Sequence, residues 1–293
     1  MGNTPTVMEA VRLSEGYLQK HGVDSPRLSA EHLLARALRC SRLDLYLRFE
    51  EGLGEDTLER YRADLKRRAA HYPLQYITGE TEFYSLPFRV SEGVFIPRPE
   101  TEILVEAAEK GLGLPENTRF LELGSGSGII PATLAKRNPG WTGVTFDIDA
   151  DAARLAMKNI ETLGVGDRVS VFVGDRFDAI SRSASFDLLV SNPPYIPSGE
   201  IAGLQRQVSQ WEPGRALDGG ERGLDFYPEL ARAGRRLLSR GGAIALEIGA
   251  LQGEEVSDML GAEGFRDIRV IKDYNGSDRV VTALSPGSGD GES

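Results

Sequence analysis

The amino-acid sequence predicts an α/β protein with a mostly parallel sheet of seven strands, preceded by a small N-terminal helical domain and joined to it by a β-hairpin linker. Three observations carry that prediction. From about residue 95, short unbroken apolar runs alternate with segments whose apolar residues recur every three to four positions, as expected of buried strands covered by helices on both faces. Before about residue 72 only the helical period is present. The residues with chemical capacity stand just past the apolar runs, at the carboxyl ends of the strands, the edge on which open α/β sheets bind ligands.

The helical domain spans residues 1–72. Val7, Val11, Leu13 and Leu18 give one apolar face, Leu28, Leu33, Leu34 and Leu38 a second, and Ser25-Pro26 reads as a cap and first turn between them. Leu43, Leu45 and Leu47 belong to a third short segment, and Leu58, Tyr61 and Leu65 to a fourth. Arg60, Arg62, Lys66, Arg67 and Arg68 form a basic stretch, but the interleaved Glu59 and Asp64 favour a solvated helix face over a nucleic-acid contact. All three histidines, His21, His32 and His71, fall in this domain, so the chemistry that follows works without an imidazole base.

Residues 73–94 read as the hairpin linker, because Pro73, Gly79, Pro87 and Gly93 punctuate short β-prone pieces. Residues 95–285 form the second domain. It opens on Phe95 to Glu102, where prolines followed by acids start a helix; Arg98 and Glu100 are read mainly as part of that start. The strands are Thr118 to Leu123, Trp141 to Phe146, Val169 to Val173, Phe186 to Val190, Ala243 to Leu246, Ile268 to Ile271 and Val280 to Leu284. Helices fill the intervals, among them Ala150 to Leu163, Leu224 to Leu238 and Gly253 to Leu260. The tail, residues 286–293, is rich in Gly, Ser and acids and is expected to be disordered.

Composition narrows the function. The net charge of −10 argues against a long phosphate-binding track, and the acidity is uneven: residues 1–75 hold 12 basic against 11 acidic side chains, leaving 22 against 33 for the remainder. The one cysteine, Cys40, has no internal disulfide partner, and no Cys/His spacing resembles a zinc site. With no apolar run of membrane-spanning length and no charged-then-apolar leader, the expectation is a soluble cytoplasmic protein.

Asn192-Pro193-Pro194-Tyr195 ends the Phe186 to Val190 run after Ser191. An Asn side chain carries an acceptor and two donor hydrogens, the prolines stiffen the backbone and Tyr adds a flat face, a set suited to a planar amide or amino group. A rigid strand exit with no chemistry would also use prolines. Upstream, Gly124-Ser125-Gly126-Ser127-Gly128 follows Thr118 to Leu123. Its third glycine comes two residues after the second, not three, so the match to a dinucleotide fingerprint is weak, although the exposed amides suit a carboxylate, ribose or phosphate. Glu122 could take an ammonium group or simply be solvated. Asp147 is placed to hold ribose hydroxyls, while Asp149 is assigned to capping the next helix.

Taken together, the glycine loop, Asp147, Asp175 beyond the third strand, and Asn-Pro-Pro-Tyr beyond the fourth resemble the class I S-adenosylmethionine-dependent methyltransferases. The stretch Ile96 to Glu102, the small helical domain, and Lys272-Asp273-Tyr274 with Arg279-Val280-Val281 resemble the release-factor glutamine methyltransferase family (the HemK/PrmC type). This resemblance covers all but the last few residues. It implies a Rossmann-like class I fold, S-adenosylmethionine as methyl donor with no metal, and class I peptide chain release factors as partners; the charge and hydropathy add the expectation of no stable nucleic-acid binding and no membrane, and nothing in the sequence suggests more than a monomer. The implied reaction methylates the side-chain amide nitrogen of the glutamine in a Gly-Gly-Gln tripeptide, giving N5-methylglutamine.

By the same resemblance, Glu122, Gly124, Ser125, Gly126, Ser127, Gly128, Asp147, Asp175, Arg176 and Asn192 would hold the cofactor. Asn192, Pro193, Pro194 and Tyr195 would hold the substrate, and Asn192, Pro193 and Tyr195 would carry the catalysis. Ser125 and Ser127 stand where relatives often have Thr, and Arg176 where they often have an aromatic residue. Two other acceptors fit the same motif: the glutamine of a ribosomal protein, and the N6 amino group of adenine in nucleic acid. The acidic second domain and the lack of a base-reading module disfavour the latter.

Overall fold

The computed structural model describes residues 4–177, 180–181 and 183–286. Residues 287–293, which make up nearly all of the expected disordered tail, lie outside the described residues. The chain divides into two compact units, Met1–Glu80 with Gln205–Trp211, and Thr81–Leu204 with Glu212–Ser293.

The first unit is helical: α1 Val7–Lys20, α2 Pro26–Leu38, α3 Arg42–Leu47, α4 Glu55–Ala69 and α5 Leu74–Thr78. Thr6 and Ser41 close capping boxes with Glu9 and Asp44, which fixes where α1 and α3 begin. Ser25 stands at the cap position of α2 but makes no side-chain cap bond. Its backbone is left-handed (φ 49°), outside the extended region that a capping residue adopts, and Pro26 supplies the helical start instead. The buried face of α1 is Val7, Ala10, Val11, Ser14 and Leu18, which leaves Leu13, 200° round the helix from Val11, 70% exposed. Leu28, Leu43 and Leu47 are likewise exposed, while Leu45 is fully buried.

Within the basic stretch Arg68 is buried, donating to Ser29 Oγ and the Tyr72 carbonyl, so it is structural and not a solvated surface charge. Helix α5 occupies the beginning of the segment read as a hairpin. Pro73 fixes its entry and Gly79 (φ 79°) its exit, signals that a helix and a hairpin share. The segment Gln205–Trp211, which carries the four-residue helix α9 (Arg206–Ser209), belongs to this unit, and the Trp211 ring meets Tyr72 edge-on at 4.8 Å.

Where the second unit begins, β1 Glu80–Phe83 and β2 Leu86–Arg89 pair through a two-residue turn, with Tyr84 and Ser85 both left-handed (φ 51° and 57°) as a primed hairpin turn requires. The main sheet has seven strands: β3 Arg119–Leu123, β4 Thr142–Asp147, β5 Val169–Val173, β6 Phe186–Ser191, β7 Leu238–Glu247, β8 Arg266–Lys272 and β9 Asp278–Leu284. Their order is β5-β4-β3-β6-β7-β9-β8, parallel except for β9, which runs antiparallel to both neighbours. The helices are α6 Thr101–Glu109, α7 Ile129–Arg137, α8 Ala150–Thr162, α10 Tyr227–Leu237 and α11 Gly253–Ala262. Helix α10 begins three residues later than the periodicity predicts, because Leu224 and Asp225 are held in a preceding turn.

The alternation of side chains along β6 explains its unbroken apolar run. Leu188 and Val190 enter one core with Leu104, Phe120 and Leu134, while Leu189 enters the other with Leu121, Leu230 and Ile244. Both faces are covered, so neither can be polar. Among the described residues no helix is long and apolar enough to cross a membrane.

Candidate active site

The ladder register brings four strand ends level. Phe146 of β4 pairs with Leu123 of β3, Leu123 with Ser191 of β6, and Ser191 with Leu246 of β7. One residue further along, Asp147, Gly124, Asn192 and Glu247 therefore stand in a row across the carboxyl edge. Neighbouring strands lie roughly 4.8 Å apart, so the row spans on the order of 15 Å. From β3 the chain winds outward through β4 and β5, then returns to place β6 on the other side. The β3/β6 boundary is thus the switch point where such sheets bind ligands. Ser191 Oγ donates to the Leu123 carbonyl at 2.8 Å across it.

On the β3 side the glycines divide the work. Gly124, Gly126 and Gly128 all have positive φ (82°, 50° and 78°), conformations that a side chain resists. A Cβ on Gly124 or Gly126 would meet nothing within 4 Å, so these two line open space, whereas one on Gly128 would lie 2.9 Å from Ala156 Cα on α8. The first two leave room for a ligand; the third lets two helices approach. Ser125 Oγ is buried with no partner, while the Ser127 carbonyl accepts from the Asn159 amide at 2.8 Å.

Asp147 fixes the loop. Its two oxygens accept from Gly126 N and Asp149 N, both at 2.9 Å, and burial pushes its carboxyl above the ordinary range against the opposing pull of the Gly126 N–H and Arg215. Asp149 caps α8 by accepting from Asp151 N and also pairs with Arg215. Glu122 is 1% exposed, which removes the solvated alternative. It accepts from the Thr145 hydroxyl, and burial drives its carboxyl well above the ordinary value.

On the β6 side, the Asn192 amide nitrogen donates to Thr101 Oγ1 at 3.1 Å, which fixes the plane of the side chain. Among the described residues no donor reaches Asn192 Oδ1 or the Pro193 carbonyl. Thr101 opens α6 and is fully buried. Tyr195 donates its hydroxyl to Glu247 Oε1 at 3.2 Å and packs its ring against the core beneath. Burial raises the Glu247 carboxyl to about 7, with Thr101, Arg279 and Tyr195 acting to lower it, and its Oε2 has no partner.

A second loop braces the strand exit. Ile196 N donates to the Leu217 carbonyl, Gly219 N to the Ile196 carbonyl and Ser198 N to the Gly220 carbonyl, at 3.0, 2.9 and 2.9 Å. A Cβ on Gly219 would lie 2.7 Å from the Pro194 carbonyl oxygen, and one on Gly223 would strike that of Tyr195. Buried Gln252 donates to the carbonyls of Tyr195 and Gly223, both at 3.0 Å.

The remaining residues singled out in the sequence lie around this row. Arg98 pairs with the buried Glu212 carboxylate at 2.5 Å, which also accepts from Ile96 N, so Arg98 has a structural partner. Asp175 and Arg176 are both exposed beyond β5, and Arg176 (φ 53°) pairs with Glu229. Sequence reasoning missed Glu247, Glu212, Gln252 and the glycines at 219, 220 and 223, and gave Thr101 no role of its own. Two signals were present: an acid directly after the apolar run Ala243 to Leu246, parallel to Asp147, and a glycine-dense stretch shortly after the Asn-Pro-Pro-Tyr turn. Among the described residues no group of three or more His, Cys, Asp or Glu is arranged to hold a metal ion.

Residues 9–79 match the family described as PrmC N-terminal domain, and residues 88–206 that described as methyltransferase small domain. A protein of Chlorobaculum tepidum named release factor glutamine methyltransferase is 40% identical over 288 residues, 96% of this chain and 97% of that one. One of the same name from Moorella thermoacetica is 42% identical, over 95% and 98% of the two chains. Among solved structures, the hMettl16 catalytic domain in complex with MAT2A 3′UTR hairpin 6 has a TM-score of 0.57 at 16% identity, covering 79% of this chain and 81% of that one. A methyltransferase from Pyrococcus furiosus has 0.52 at 19%, covering 70% and 90%. At such identities the likeness is one of fold.

Proposed function

This chain belongs to the release factor glutamine methyltransferase family, and we propose that it transfers a methyl group from S-adenosylmethionine to the side-chain amide nitrogen of the Gly-Gly-Gln glutamine of class I peptide chain release factors, giving N5-methylglutamine. The observation that carries this reading is the adjacency of Gly124 and Asn192 at the switch point. The loop assigned to the cofactor and the side chain assigned to the substrate amide follow paired strand ends there.

The residues present fit the donor. Open space over Gly124 and Gly126 and the unpartnered Ser125 hydroxyl are what a ligand-binding loop requires, and Asp147 keeps a free lone pair on each oxygen after accepting its backbone bonds. Gly124 to Gly128, Asp147, Asp175 and Arg176 would hold it, with Glu122 as the buried support of the loop. When bound, it supplies an electrophilic methyl group on a sulfonium, and the product is S-adenosylhomocysteine.

This chain's own residues prepare the nucleophile. A glutamine amide nitrogen is weak, because its lone pair is delocalised into the carbonyl. Asn192 Oδ1 and the Pro193 carbonyl, both free of other donors, are two acceptors for its two hydrogens. Holding them sets the nitrogen's orientation and places negative dipoles where positive charge develops. Tyr195 borders the amide plane, and the prolines keep the carbonyl aimed. No side chain need act as a base before methyl transfer, because the nitrogen becomes acidic once methylated and sheds its extra proton to water.

The helical unit is assigned to recognising the release factor away from the modified loop. The enzyme works as a cytoplasmic monomer, without a metal and without stable nucleic-acid or membrane partners. The test is to incubate it with methyl-labelled S-adenosylmethionine and, in separate reactions, class I release factors, ribosomal proteins, DNA and RNA, then map the label by peptide mass spectrometry. Label on the Gly-Gly-Gln glutamine is expected. Label confined to a ribosomal protein or to adenine would overturn the assignment.

A further inference from the structure

We propose that Tyr274 and Leu251 form a docking edge for the acceptor polypeptide beside its glutamine, an inference that rests on the reading of Asn192 and Tyr195 as the residues that hold that glutamine. Both side chains are 94% exposed, each on a tight turn closed by hydrogen bonds. A large apolar side chain displayed in this way adds nothing to the core, and Tyr is among the residues that carry most of the energy at protein contacts.

The turns are built to hold these side chains still. Asp273 N donates to the Ser277 carbonyl at 2.8 Å and Gly276 N to the Asp273 carbonyl at 2.9 Å, a three-residue hairpin loop closed by Gly276 at φ 83°. Asp273 Oδ1 accepts from Asn275 N and Ser277 N at 2.9 and 3.0 Å, and its Oδ2 pairs with Arg279. Arg279 also donates to the Ile248 carbonyl, which ties the hairpin that carries Tyr274 to the exit of β7.

Leu251 sits in the turn after that exit. Gln252 N donates to the Gly249 carbonyl at 3.0 Å, and Gly249 N to Gln252 Oε1 at 2.8 Å. The same Gln252 side chain donates to the Tyr195 carbonyl, so the turn that carries Leu251 is tied to the acceptor corner. Gly253 lies against the hairpin: a Cβ there would be 2.5 Å from Asp278 Oδ2, which makes the two turns neighbours.

Their place relative to the row follows from register. Val280 of β9 pairs with Glu247, and Ile271 of β8 with Val280, so Asp273 to Ser277 stands beyond the row on its open side. The hairpin lies two to three strand spacings from β6, on the order of 12 Å from Asn192, a span that about four residues of extended chain cover. The opposite flank, over β3 and β4, belongs to the glycine loop and Asp147. The flank over β7 and β9 is the one left for a polypeptide that delivers a glutamine to Asn192. The chemistry favours polypeptide over nucleic acid, since the cations nearest Tyr274 in sequence are committed, Lys272 to Asp278 and Arg279 to Asp273.

The experiment compares wild type with Tyr274→Ala, Leu251→Ala, the double variant and Tyr274→Phe, using a purified class I release factor as acceptor. It measures kcat, KM for the release factor, the Kd for S-adenosylmethionine by calorimetry, and thermal melting. The double variant should raise KM on the order of 10- to 100-fold, each single change contributing part, while Tyr274→Phe stays within about threefold of wild type. Cofactor Kd and kcat at saturation should change less than about threefold, and melting should be unaltered, as expected of exposed side chains.

A KM in the double variant within about twofold of wild type would overturn the docking edge. So would a matching loss of cofactor affinity, a fall in melting temperature or a loss confined to kcat, which would assign the pair to the cofactor, the fold or the chemistry. Failure of the proposed function looks different: wild type itself would leave the release factor unlabelled. Label on another protein would move the KM comparison to that protein, and label on nucleic acid would overturn the docking edge as well.

Discussion

Gln252 Nε2 donates to the Tyr195 carbonyl at 3.0 Å and, at the same distance, to that of Gly223, so one buried amide ties the strand exit to the loop that supports it. The arrangement holds only while residue 223 has no side chain. Gly223→Ala would force a Cβ onto the Tyr195 carbonyl at a positive φ of 73°. The expected outcome is a loss of about 3 kcal/mol in denaturant-measured stability, together with reduced turnover. Wild-type stability would show that the brace is dispensable.

Asn192→Ala removes the proposed acceptor and leaves the glycine loop intact. Turnover should fall at least about 100-fold while S-adenosylmethionine binding, followed by calorimetry, stays within about threefold. Near-normal methylation of a release factor by this variant would remove Asn192 from the chemistry.

Stability should respond to pH through Glu247. Its carboxyl lies at about 7 in the folded chain against an ordinary 4.5, so the folded state holds the proton more tightly. The stabilisation that comes from this is complete below about 4.5 and is lost as pH rises through about 7, a total of about 3 kcal/mol. Glu247→Gln should therefore melt higher than wild type at pH 8 and lose that advantage near pH 4.5. Lower melting at pH 8 would contradict the account.

The glycines of the β3 loop should separate binding from folding. Gly126→Ala adds a methyl group to open space at φ 50°, costing about 1 kcal/mol of stability but raising the cofactor Kd by tenfold or more if that space is where the donor lies. Gly128→Ala collides with Ala156 backbone and should lower the melting temperature severely. Equal effects of the two on cofactor affinity would refute the division.

Leu43 and Leu47 are 72% and 77% exposed on the helical unit. If that unit grips the release factor, changing both to Ala should raise KM for the intact protein several-fold and leave KM for a short Gly-Gly-Gln peptide unchanged. Equal KM values for the intact protein in variant and wild type would assign recognition elsewhere.

The sheet was legible because its strands are short apolar runs buried on both faces, a pattern set by local chemistry. The Asp149 cap was legible for the same reason, since cap and helix are adjacent in sequence. Leu13 and Leu28 misled because apolar character alone does not fix which side of a helix is buried. Thr101 and Glu247 escaped notice because their importance arises from partners 91 residues away in one case and 52 in the other. Position 247 had a local clue as an acid after an apolar run, but the threonine had none. The Gln205–Trp211 excursion into the helical unit left no mark in periodicity at all.

Three rungs of backbone pairing set the level at which Asp147, Gly124, Asn192 and Glu247 emerge. Change confined to connections outside the Leu217 to Gly223 brace therefore leaves the row in place. Evolution, or a protein engineer, can remodel connections other than that brace to admit a differently shaped acceptor without readjusting the row, whereas inserting a single residue into β6 would shift Asn192 out of alignment at once.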